Sequence, residues 1–123
     1  MSAANEEVVR RNLTAYVAGD RTTAEELVDP DFVFTSPQDD HIDRAAFFER
    51  CFPTADRFAT QELQRIACTG DDVFIMYEYE LRETGERYRN AELLTVRAGR
   101  IVEAQVFFGG QVPRREPRPD SGT

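Results

Sequence analysis

The spacing of the apolar residues changes once along this chain, and that change fixes the fold class. Before Phe58 the apolar side chains recur mainly at helical spacing, apart from one short strand; from Phe58 onward they recur at every second position. Val9, Leu13, Tyr16 and Val17 share one face of a first helix, which follows Asn5, Glu6 and Glu7 and stops at Gly19. Thr22 and Glu25 read as the capping box of a short second helix that carries Ala24, Leu27 and Val28 and ends before Pro30. Residues 32–36 read as a short strand and 37–40 as the loop leaving it. Asp43 caps a third helix, 44–52, which Pro53 stops. Strands follow at about 58–68, 73–82, 87–97 and 100–108, with turns at Gly70-Asp71, Thr84-Gly85 and Ala98-Gly99. Helices followed by a meander predict an α+β domain whose cone-like, curved antiparallel sheet wraps three N-terminal helices. The domain is expected over 1–110, with a flexible tail rich in Pro and Arg over 111–123.

Charge narrows the partners. The 15 basic residues are all Arg, the 23 acidic residues are spread along the chain, and the net charge is −8. No positive stripe exists to neutralise phosphates or an anionic membrane surface, so neither nucleic acid nor membrane is expected as a partner. No apolar run approaches the roughly 20 residues that span a bilayer. MSAANEEVVRR has no apolar stretch behind a basic start, so no signal peptide is expected and the protein is placed in the cytoplasm. Cys51 and Cys68, without a CxxC or a His partner, read as small buried hydrophobes rather than a disulfide or zinc site.

Turn chemistry predicts which side chains share the concave face. A three-residue loop 97–99, with only Gly99 left-handed, pairs Val96 with Arg100, Leu94 with Val102, Glu92 with Ala104, Asn90 with Val106 and Tyr88 with Phe108. A four-residue loop 83–86 pairs Leu81 with Tyr88, Tyr79 with Asn90, Tyr77 with Glu92, Ile75 with Leu94 and Val73 with Val96. One face is then apolar or phenolic except for Asn90 and Glu92. A lone carboxylate there is costly unless it is hydrogen-bonded. Either Glu92 is satisfied in the core by Tyr77, Arg44 or Arg50, or it belongs to a pocket for a mostly apolar small molecule. The opposite face carries Phe74, Met76, Ala91, Leu93, Ile101 and Phe107 among charged residues, more apolar surface than an outer face needs. It predicts a homodimer through the sheet.

The succession of a helix, Gly19-Asp20, a short helix, DPDFVFTSP, an IDRAAFFERCFP helix and a meander containing LLTVRAGRIVEAQVFF resembles the nuclear transport factor 2-like superfamily. Within it, the chain is similar to the SnoaL-like group, over roughly 6–110. That superfamily houses ketosteroid isomerases, polyketide cyclases, dehydratases, epoxide hydrolases and non-catalytic binding proteins. Against ketosteroid isomerase, the resemblance puts the oxyanion-hole acid on Glu92, the catalytic Asp-Pro on Ser36-Pro37 and the oxyanion tyrosine near Asn12. Ser36 is no base near neutral pH, and Asn12 is a weaker proton donor than a phenol.

Together these readings predict a cofactor-independent cyclase, isomerase or dehydratase acting on an apolar, oxygen-bearing molecule. The alternative is a non-catalytic binding or dimeric accessory domain. Glu92 would be general acid/base, with Tyr77 beside it and His41 of the PQDDHIDR loop a further acid/base candidate. Ligand contacts are expected from Asn12, Tyr16, Ser36, Phe48, Phe52, Tyr79, Tyr88, Asn90 and Phe108, with Phe47, Phe48 and Phe52 closing the open end of the cone. Asp39 and Asp40 read as a solvated turn, and no metal site is expected.

Overall fold

The computed structural model describes residues 2–113; of the tail expected over 111–123, residues 114–123 lie outside the described residues. Two helices, α1 (Ser2–Ala18) and α2 (Arg21–Leu27), lead into β1 (Val28–Ser36) and β2 (Asp39–Asp43). A helical stretch of three geometries follows: α3 (Arg44–Ala46), a π-helical turn (Phe47–Cys51) and a 3₁₀ turn (Phe52–Arg57). The rest is β3 (Phe58–Thr69), β4 (Asp72–Leu81), β5 (Arg87–Arg97) and β6 (Arg100–Gln111). One six-stranded sheet has the order β2-β1-β6-β5-β4-β3. The meander is antiparallel, but β1 lies parallel to β6, with Phe34 beside Ala104. Val9, Ala15 and Ala24 of the helices share one buried core with Val73, Ile75, Leu94 and Val96 of the sheet, the expected α+β arrangement. No helix among the described residues is long and apolar enough to cross a membrane.

Local chemistry moves several boundaries. Helix α2 is capped by Asp20, not by Thr22: the Asp20 carboxylate accepts the Thr23 N–H at 3.2 Å and the Thr23 hydroxyl at 2.7 Å. Glu25 is free of a capping box and pairs with Arg21 at 2.9 Å. The stretch expected to be loop at Asp39-Asp40 is the start of β2, which pairs back on β1 through Ser36–Asp39 and Phe34–Ile42. Asp43 caps α3 as expected, accepting the Ala46 N–H at 2.9 Å. The third helix does not stay α-helical to residue 52. Pro53 has no N–H, and its ring would collide with the Glu49 carbonyl in an α turn. The preceding turn widens, so that the Phe52 N–H reaches the Phe47 carbonyl, and the chain runs on as 3₁₀ to Arg57.

The strand registers differ from those expected, though each main register keeps its parity. The β4–β5 loop has four residues but begins one earlier, at Arg82. The Leu81 N–H donates to the Glu86 carbonyl at 2.9 Å, and Gly85 takes the left-handed position with φ 73°. Tyr77 therefore faces Asn90, and Glu92 faces Ile75. The β5–β6 turn is the two-residue Ala98-Gly99, with φ 52° and 77°, pairing Arg97 with Arg100 and Val96 with Ile101. A left-handed alanine costs about 1–2 kcal/mol. The turn is followed by a bulge at Val102, after which Leu94 faces Ala104 and Glu92 faces Val106. The bulge corrects two placements. Ile101, expected outside, is 1% exposed in the core, and Val102 becomes the unpaired residue. Burying an isoleucine is worth about 1.5–3 kcal/mol, enough to offset the strained alanine.

Candidate functional site

Glu92 stands at the middle of the concave face. Ile75 and Val106 flank it across the strands, and Asn90 and Leu94 are its neighbours on the same face of β5; all four are buried. Its side chain has partial access to solvent. Among the described residues it makes no hydrogen bond or ion pair. Each partner expected to neutralise it is engaged elsewhere. Arg44 donates to the Glu25 carbonyl at 2.9 Å, Arg50 pairs with Asp39 at 3.0 Å, and Tyr77 is one register step away. Burial alone pushes the Glu92 carboxyl from 4.5 up to about 7, so near neutral pH it is present both as an acid and as a base.

Two phenols lie within reach of its field. Tyr77 is buried, and its oxygen accepts from Asn90 Nδ2 at 3.4 Å. Burial first and the Glu92 carboxylate second raise its pKa. Tyr16 of α1 is pushed up to about 12, again by burial first, with Glu92 contributing. Both stay protonated at any working pH. Toward the rim, Phe58, Tyr79 and Tyr88 form a stack, with centroids 4.5 Å apart for Phe58–Tyr79 and 5.6 Å for Tyr79–Tyr88. The Tyr88 hydroxyl donates to Glu86 at 3.1 Å. Phe108, opposite Asn90, is 51% exposed.

The remaining expected residues make no hydrogen bond or ion pair with Glu92 among the described residues. His41 is exposed on β2, its Nδ1 2.7 Å from Asp40. The Ser36 hydroxyl accepts the Gln38 N–H at 3.1 Å and so shapes the β1–β2 turn. Asn12 is half-buried on α1, one turn before Tyr16. Phe52 packs edge-on to Tyr16 at 5.7 Å. Phe48 is 1% exposed, and the guanidinium groups of Arg21 and Arg44 sit 5.2 and 5.1 Å from its ring centre.

Two sets of contacts carried no sequence signal. Thr54, at the start of the 3₁₀ turn, lies 2.6 Å from the Tyr16 hydroxyl and 2.6 Å from the Cys51 carbonyl. Asp39, expected to be solvated, is largely covered and accepts from Arg50 and from the Cys51 thiol at 3.7 Å. The thiol itself is pushed up to about 11, by burial first and by Asp39 second, which keeps it un-ionised near neutral pH. Both contacts join segments far apart in sequence, so no spacing pattern announces them.

On the opposite face, Phe74 pairs with Leu93, and Met76 with Ala91, which in turn pairs with Phe107. Phe74 and Phe107 are 47% and 56% exposed. Beside this patch Glu78 accepts twice from Arg89, at 2.7 and 3.0 Å, and once from Arg87 at 3.2 Å. Hydrogen bonds to the carboxylate, from Arg89 first, then Gln64 and Arg87, bring it down to about 2.

Residues 9–104 match the family described as SnoaL-like domain. No curated protein matches the chain. Among solved structures, AclR, a candidate hydroxylase from Streptomyces galilaeus, superposes with a TM-score of 0.74 at 17% identity, over 89% of this chain and 91% of that one. A candidate ketosteroid isomerase from Kribbella flavida gives 0.72 at 16% identity, over 96% and 84%. An NTF2-like protein of unknown function from Cytophaga hutchinsonii gives 0.69 at 18% identity, over 85% and 88%. At these identities the likeness is one of fold, and it is the fold expected from the sequence.

Proposed function

The chain belongs to the family of SnoaL-like domains, and from that premise we propose that its concave face binds an apolar, oxygen-bearing small molecule and moves a proton on it. The observation that carries this reading is Glu92, an acid with no hydrogen-bonding partner among the described residues, held amid apolar side chains with its carboxyl near 7. In its neutral form Glu92 gives a proton to a substrate oxygen; as a carboxylate it removes one from an acidic carbon. Tyr77 orients the reacting group. Isomerisation, cyclisation and dehydration of a carbonyl compound all use such a transfer. The ketosteroid isomerase candidate among the structural neighbours is in keeping with this class. Replacement Glu92→Gln is expected to lower turnover of a bound ketone or alcohol at least about 100-fold while binding changes little. Unchanged turnover would remove Glu92 from the chemistry.

One observation favours a second, non-catalytic reading. The serine at the position of the isomerase base is committed to the β1–β2 turn through Gln38, leaving no base there. A ligand bound equally by wild type and Glu92→Gln, and turned over by neither, would establish a carrier.

The outer apolar patch supports assembly into a homodimer. In this reading the patch around Phe74 and Phe107, with the Glu78–Arg89 ion pair on the same sheet, meets its own copy across a two-fold axis. Sedimentation of wild type at about 10 µM, within the concentration range of ordinary homodimers, is expected to give a dimer, and Phe107→Glu a monomer. A wild-type monomer would refute this assembly.

A further inference from the structure

If the concave face is a ligand site, as proposed above, hydrogen-bond accounting at Thr54 fixes the kind of oxygen it accepts. The Thr54 hydroxyl has one proton and two close oxygen neighbours: the Cys51 carbonyl and the Tyr16 hydroxyl, each at 2.6 Å. The carbonyl can only accept, so it takes the threonine proton. The contact with Tyr16 must then be made by the tyrosine's proton, donated to Thr54. Tyr16 has one proton as well, and it is spent. What the phenol offers a ligand is lone pairs alone.

The surroundings keep it in that state. Phe52 and Phe58 meet the Tyr16 ring edge-on at 5.7 and 5.6 Å, which fixes its orientation. Burial and the nearby Glu92 keep the phenol un-ionised, so its proton stays on the bond to Thr54. A carbonyl or ether oxygen placed against Tyr16 would set lone pair against lone pair, whereas a hydroxyl would donate. We infer that Thr54, as a positioning residue, sets the hydrogen-bond polarity of the site, so that it selects an apolar alcohol, enol or phenol over the matching carbonyl compound at Tyr16.

Naphthalen-2-ylmethanol and naphthalene-2-carbaldehyde test this directly. They share a skeleton and differ in offering a donor or only an acceptor, and the chain has no lysine to condense with the aldehyde. Titrated into the full chain, the alcohol is expected to bind about tenfold tighter, the effect of one hydrogen bond made or refused. Thr54→Ser keeps the hydroxyl and should keep the preference. Thr54→Val frees the Tyr16 proton and should bring the ratio to about one or below, and Tyr16→Phe should abolish the preference. If Thr54→Val does not fold, Thr54→Ser and Tyr16→Phe still decide. Equal binding of both probes by wild type would overturn the polarity inference while leaving the ligand site standing. A tenfold preference that survives in Thr54→Val or Tyr16→Phe would likewise overturn it. Failure of wild type to bind either probe at millimolar concentration would overturn the ligand site and the inference together.

Discussion

Replacement Glu92→Leu is expected to raise the thermal midpoint by roughly 5–10 °C at pH 8 and by much less at pH 5. The sign follows from the carboxyl's position, near 7 in the fold against 4.5 ordinarily. The folded protein holds a proton that the unfolded chain releases. The contribution of Glu92 is therefore most favourable below pH 4.5 and is lost as the pH rises through 7, a difference of roughly 3 kcal/mol. Leucine carries no such penalty and suits neighbours such as Ile75, Leu94 and Val106. Glu92→Gln should flatten the pH dependence while keeping a polar group in place. Thermal melts of the three proteins from pH 5 to 9 check this. A leucine variant several degrees less stable at every pH would mean that Glu92 is held by a bond the structure does not display. A stabilised variant would mark the acid as kept at the expense of stability, as working groups commonly are.

Replacement Phe48→Ala should cost about 4 kcal/mol, a large part of the 5–15 kcal/mol that holds an ordinary domain together. The ring is 1% exposed, touches Phe47 and Phe52 at 5.2 and 5.5 Å, and is faced by two guanidinium groups. Removing it leaves a cavity and two cations without their aromatic partner, each contact worth about 0.5–1 kcal/mol. Phe48 also lies within the π-helical turn that leads to Thr54, so its loss should loosen Tyr16 as well. Urea unfolding measures the first effect. A loss below about 2 kcal/mol would mean that the turn collapses onto the vacated space.

Parity explains why the faces of this sheet can be read from sequence although the register cannot. A strand moved by two residues relative to its partner presents the same side chains to the same face. Glu92, Asn90 and Tyr77 therefore fall on the concave face under either register, while Glu92's neighbours change from Tyr77 and Ala104 to Ile75 and Val106. Ile101 escapes the rule because the bulge at Val102 inserts one residue and reverses parity next to the turn. A preference against left-handed alanine points to the longer loop, and only the burial of Ile101, a tertiary effect, outweighs it. Thr54 and Asp39 escape for a different reason. The bond from Thr54 to Tyr16 spans 38 positions, and no periodicity encodes a contact of that kind.

The parallel pairing of β1 with β6 also governs the order of folding. Phe34 and Ala104 are neighbours in the sheet yet 70 residues apart in the chain, so their meeting carries a large loop-closure entropy that local hairpins do not. The β3–β6 meander can zip through short turns first. The strand that joins the helical layer to the sheet has no place to dock until β6 is present. During synthesis, β1 must therefore wait for β6 before its apolar side chains, Phe32 and Phe34 among them, are fully covered. That interval is when this chain is most open to misassociation and to chaperone capture.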